Sequence, residues 1–164
     1  MVNQLRKFCL QIAELTKSLR DLLSAKNQWC CGEAQQQAFS TIKENLTTTP
    51  TLAHYNPNHE TQLSTDASAY CLGAVLTQKQ TNNQWRPIAY TSRALSATEQ
   101  RYAQIEKEAL GITWASERFL DYLIGLNFHI ETDHKPLIPL LSTKNLKDLL
   151  ARIQYFKMRM MRFS

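Results

Sequence analysis

Residues 61–92 read TQLSTDASAYCLGAVLTQKQTNNQWRPIAYTS, and their pattern decides the class of fold. The runs Thr61 to Thr65, Leu72 to Gln78 and Trp85 to Ser92 are rich in β-branched and aromatic residues, the composition of half-buried strands. Thr81-Asn82-Asn83 supplies the turn between the second and third runs. The spacing predicts three strands in meander order.

Downstream the period changes from two to between three and four. Leu95-Ser96-Ala97-Thr98-Glu99 has the form of a capping box: the Ser96 hydroxyl can accept the Glu99 amide while the Glu99 carboxylate reaches back. A long helix is expected from there, with Tyr102, Ile105, Ala109, Ile112, Ser116, Phe119 and Leu123 on one stripe. Gly125 stands where a left-handed C-terminal residue is wanted. Phe128, Ile130 and Thr132 then alternate with His129, Glu131 and Asp133 as a fourth strand. A helical crossover from the third strand to the fourth predicts a mixed α/β sheet. Beyond Pro136 come a short helix through Leu141 and a longer one. On the longer helix Leu149, Ile153, Phe156, Met160 and Phe163 share a face, with Arg152, Lys157, Arg159 and Arg162 around it.

Upstream, Leu5, Phe8, Ile12, Leu15, Leu19 and Leu22 alternate three and four apart. Such a stripe suits packing on the chain's own core or a coiled coil. Phe39, Ile42 and Leu46 mark a second helix that must stop before Pro50. The first 50 or so residues therefore read as a helical hairpin, and Thr51 to Glu60 as a loop.

A chain of 164 residues with 43% hydrophobic content can bury a real core, which argues against disorder. Lysine and arginine outnumber the acids by 19 to 14, a balance that suits an anionic partner. The four cysteines, Cys9, Cys30, Cys31 and Cys71, lack the spacing of a zinc site and read as intracellular thiols. No apolar run has the length of a membrane span, and the opening residues have no signal-peptide core. The expected location is intracellular, cytoplasmic or nuclear, without membrane association or secretion. Residues 151–164 still read as structured sequence, so a piece of a longer protein is expected.

Three acids carry the chemistry. On the long helix Glu108 lies roughly 60° from the centre of the apolar stripe, while Glu99, Glu106 and Glu117 lie roughly 100° or more away. A carboxylate at that border costs free energy unless a cation or hydrogen-bond donors meet it. Asp66 and Asp133 stand at strand ends, where each could serve as a turn or cap acid. Together the three could converge on one edge of the sheet. Paired Mg²⁺ or Mn²⁺ ions held by such hard ligands can drive in-line displacement at a phosphodiester. His134 could assist proton transfer or stand as a surface histidine.

The ordered set Thr65-Asp66-Ala67-Ser68, Gly73-Ala74-Val75-Leu76, Pro87-Ile88-Ala89-Tyr90, Glu106-Lys107-Glu108-Ala109-Leu110 and Thr132-Asp133-His134-Lys135-Pro136-Leu137 resembles the ribonuclease H domain of gypsy-type LTR-retrotransposon Pol polyproteins. Leu19-Arg20-Asp21-Leu22-Leu23, Trp29 and Ala38-Phe39 are similar to the end of the reverse transcriptase. The resemblance implies residues 1–55 as a helical connection segment and 56–164 as a ribonuclease H-like domain. It implies a mixed five-stranded sheet flanked by helices, and cleavage of the RNA strand of an RNA/DNA hybrid. Asp66, Glu108 and Asp133 would be the Mg²⁺ or Mn²⁺ ligands. Arg152, Lys157, Arg159, Arg162 and His134 are the candidates for nucleic-acid contact, and the rest of a Pol polyprotein is the expected partner. The family's fifth strand, last helix and fourth carboxylate have no counterpart here; neither Asp121 nor Asp148 matches that position. The polymerase core is also absent. A remnant that binds nucleic acid or acts as a scaffold is therefore the alternative.

Overall fold

The computed structural model describes residues 16–22, 31–48, 52–142 and 150–163. Three antiparallel strands, β1 (Thr61–Ala67), β2 (Cys71–Lys79) and β3 (Trp85–Ala94), form the meander read from residues 61–92. The turn from β1 to β2 is built by Ser68, whose Oγ accepts the Cys71 amide at 3.0 Å. At the β2–β3 hairpin Asn83 takes φ 62°, the left-handed conformation its side chain tolerates. The β2–β3 register slips between Leu76 and Thr77, which pair with Ala89 and Pro87. Ile88 is the extra residue and turns into the core. Pro87 can sit here because β3 is an edge strand, where a missing amide costs no ladder bond.

The long helix begins later than its sequence suggests. Ser96 and Glu99 do exchange their reciprocal bonds, at 3.3 and 2.8 Å, but they open only a 3-10 turn over Glu99–Arg101. Arg93 grips the Glu99 carboxylate through two bonds of 2.8 Å and pins that turn to β3. The chain then runs extended through Tyr102 and Ala103 before α3 (Gln104–Arg118) starts afresh. Among the described residues two helices precede it, α1 (Lys17–Asp21) and α2 (Glu33–Thr48). The apolar stripe is also divided, because Phe119 leaves helical geometry before α4 (Leu120–Leu123). Gly125 follows at φ 74°, as its position implied.

α3 lies on one face of the sheet, burying Ala109, Ile112 and Ala115 against Leu63, Leu72 and Ala74. It is the crossover to β4 (Phe128–Glu131), which pairs in parallel with β1. The order is β3-β2-β1-β4, a mixed four-stranded sheet among the described residues, with no fifth strand among them. β4 stops two residues earlier than the alternation implied, and Ile130 remains 39% exposed on the sheet's outer edge. α5 (Leu137–Ser142) and α6 (Ala151–Met160) follow, with Leu137, Ile153 and Phe156 buried.

Of the N-terminal stripe, Leu5, Phe8, Ile12 and Leu15 lie outside the described residues, as do Leu149 and Asp148. Within α2, Ile42 is buried but Phe39 is 50% exposed, so the second helix does not bury its whole expected face. α1 touches the strand domain where the Lys17 ammonium sits 3.5 Å from the Tyr70 ring centroid. Among the described residues no helix is long and apolar enough to cross a membrane.

Candidate active site

Strand parity aims the first acid. Along β1, Leu63, Thr65 and Ala67 face the core, so Gln62, Ser64 and Asp66 face the opposite side. Parallel pairing sets Ser64 level with Glu131, and Asp133 follows two residues beyond the end of β4. Asp66 is not a turn acid, since Ser68 makes the turn, and Asp133 is not a helix cap, since α5 begins four residues later. Both carboxylates are on exposed residues and take no hydrogen bond or ion pair among the described residues. With Ser64, Thr65, Glu131 and Thr132 they line an open cleft of about 310 Å³.

Glu108, on α3, is only 3% exposed and is not among the residues that line this cleft. Its Oε1 accepts the Gln104 side-chain amide at 2.7 Å, while Oε2 is buried with no hydrogen-bond partner. Burial pushes its carboxyl up to about 7. The Gln104 bond opposes that rise, and the negative charges of Asp133 and Asp66 add to it. Among the described residues no three histidine, cysteine or acidic side chains are closed to metal-ligand spacing. The donor set nonetheless fits a hard divalent cation: three carboxylates, one with an orphaned buried oxygen, form no ion pair with a cationic side chain among the described residues.

Two site residues were not singled out from sequence. Glu131 lines the cleft and its Oε2 accepts Gln62 Nε2 and Ser64 Oγ, both at 2.6 Å. Its position two residues before Asp133, on the same strand face, was the available signal. Gln104 was visible only as the residue one turn before Glu108. His134 follows Asp133 and is half-buried, its amide donating to Thr132 Oγ1 at 3.2 Å.

The α6 cations are drawn inward. Arg152 donates to Glu106 Oε1 at 2.6 Å and stacks 3.9 Å from the Tyr102 ring centroid. Arg159 makes a two-pronged pair with Glu117, its Nε at 2.7 Å from Oε1. These bonds fasten α6 to α3, while the Arg152 side chain stays 43% exposed. Lys157 is half-buried, and Arg162 is exposed beside the Phe163 ring.

A sheet ordered β3-β2-β1-β4, crossed by a helix and carrying acids at the ends of its two parallel strands, defines a ribonuclease H-like domain. Its fold is similar to that of the foamy viral protease-reverse transcriptase dRH in complex with double-stranded DNA. The TM-score is 0.71 at 18% identity, over 98% of this chain and 28% of that one. A foamy viral protease-reverse transcriptase in complex with RNA/DNA hybrid superposes at 0.66 with 19% identity, over 96% of this chain and 22% of that one. Residues 31–130 match the family described as the RNase H-like domain found in reverse transcriptase, and the chain belongs to that family. The Transposon Tf2-3 and Tf2-4 polyproteins of Schizosaccharomyces pombe are each 35% identical to it over 159 residues. That covers 94% of this chain, which spans 12% of the length of each polyprotein.

Proposed function

We propose that this domain hydrolyses the RNA strand of RNA/DNA hybrids, with Asp66, Glu108 and Asp133 as ligands of Mg²⁺ or Mn²⁺. The observation that carries the reading is the buried Glu108 Oε2, left without a partner and facing the charges of Asp66 and Asp133. Divalent ions bound there would supply an activated water and neutralise charge at the phosphodiester. The chain's own groups do the rest. On this reading Asp66 and Asp133, which line one cleft, would each offer a carboxylate, and Glu108 would add a third from the rigid helix α3. His134, next to Asp133 in the chain, would shuttle a proton from the site to solvent.

Nucleic-acid contact is assigned to the exposed Arg162 first. Lys157, Arg152 and Arg159 follow as they exchange internal partners for phosphates. The likeness to the Tf2 polyproteins supports a gypsy-type retrotransposon origin within a longer Pol polyprotein, acting inside the cell. On that reading residues 1–55 connect the domain to a reverse transcriptase, and residues 56–164 form the ribonuclease H-like unit. A labelled RNA/DNA hybrid incubated with the chain in Mg²⁺ or Mn²⁺ tests the activity. Cleavage of the RNA strand, lost in Asp66→Asn, is the expected result. Equal inertness of parent and variant while hybrid binding persists would remove the catalytic reading.

A further inference from the structure

Gln104 is the first residue of α3, and its side-chain amide is fully committed. Nε2 donates one hydrogen to the Ala67 carbonyl at 2.8 Å and the other to Glu108 Oε1 at 2.7 Å. Ala67 closes β1 and directly follows Asp66, while Glu108 lies one helical turn beyond Gln104. A single NH₂ group therefore spans the two elements that bear these acids, and it does so beside both of them. Both of its hydrogens are spent within the protein, so neither is spare for a ligand.

The surroundings explain why this bridge can hold. Ala103 has no side chain to cap α3; instead its amide donates to Glu106 Oε2 at 3.0 Å. Glu106 Oε1 meanwhile accepts Arg152. The helix start is thus tied outward to α6 through Glu106 and inward to β1 through Gln104. Because the Gln104 bond occupies Oε1, it also fixes which Glu108 oxygen is left over. That oxygen is Oε2, the buried atom with no partner.

We propose that Gln104 is a positioning residue for the metal site. It locks the Glu108 carboxylate to the end of β1 and presents Oε2 alone toward the cation. The inference rests on the assignment of Asp66, Glu108 and Asp133 as metal ligands. Partners that orient a ligand from behind are commonly worth 10- to 100-fold in metal affinity, so about tenfold is the expected contribution.

The test is Mn²⁺ affinity of the full chain, measured by calorimetry or by the electron spin resonance of free Mn²⁺. Gln104→Met keeps the length of the side chain and removes both hydrogen bonds. Its Mn²⁺ dissociation constant should rise about tenfold. Gln100→Met is the matched control, because Gln100 also donates to a backbone carbonyl, that of Leu95, away from the acids. It should bind Mn²⁺ as the parent does. Parent-like affinity in Gln104→Met overturns the inference while leaving the metal site standing. Equal weakening in Gln100→Met overturns it too, since the loss would then be general. Absence of Mn²⁺ binding by the parent itself overturns the assignment of the three acids, and the role of Gln104 with it.

Discussion

Glu108 should make the metal-free protein less stable as the pH rises, and replacing it with glutamine should relieve this. Its carboxyl is pushed from the ordinary 4.5 up to about 7, chiefly by burial. The folded state therefore holds that proton more tightly than the unfolded chain does. Stability from this group is fully present below pH 4.5, declines between pH 4.5 and 7, and is absent above. At about 1.4 kcal/mol per pH unit the difference comes to roughly 3.5 kcal/mol, an upper figure because relaxation around the charge reduces it. A glutamine in its place carries no charge and keeps an oxygen for the Gln104 amide. In EDTA at pH 8, Glu108→Gln should be more stable than the parent by about 1 to 3 kcal/mol, or roughly 3–10 °C in melting temperature. At pH 4.5 or below, the two should converge. Urea titrations followed by circular dichroism at pH 4.5, 6 and 8 measure this directly. Saturating Mg²⁺ should close the gap at pH 8, because only the parent gains from binding. A variant equal to or weaker than the parent at pH 8 in EDTA would refute the claim that this carboxylate is held at a cost.

Glu99 should behave with the opposite sign. The Arg93 pair holds its carboxyl at about 2, so its stabilisation is present above pH 4.5 and lost as the pH falls toward 2. Glu99→Gln should cost about 1 to 2 kcal/mol at pH 7 and nothing near pH 2, read from acid-unfolding curves. Gly125→Ala should lower stability by about 1 kcal/mol although nothing lies within 4 Å of the added carbon, because φ 74° is strained for any side chain. Arg159→Gln should lower the melting temperature by loosening α6. Arg162→Gln should leave it unchanged and instead reduce the salt dependence of hybrid binding, with a slope shallower by about one.

What was legible in the sequence followed from local chemistry. The strand meander, the Asn83 turn, the Gly125 stop and the burial of Glu108 all rest on period, parity or the conformational preference of one residue. What was not legible depended on partners far along the chain. The Ser96 and Glu99 box is real, yet Arg93 claims the same carboxylate and the helix restarts at Gln104. Arg152 and Arg159 pair with Glu106 and Glu117, partners on another helix that the sequence of α6 alone does not name. Phe39 matches an apolar stripe that α2 only partly buries. That Asp66 and Asp133 line one cleft needed the β1–β4 pairing, which no local pattern specifies.

That pairing also constrains how the gene can change length. Asp66 and Asp133 line one cleft because β1 and β4 run in one fixed parallel register, with Asp133 two residues beyond the end of β4. A single-codon insertion between Phe128 and Asp133 would swing Asp133 to the opposite side of the sheet. A two-codon insertion would bring it back into phase, displaced along the strand. Insertion scanning of this stretch should therefore show an odd-even rhythm of metal binding, whereas the same insertions at the Asn82-Asn83 hairpin tip should be tolerated at any length.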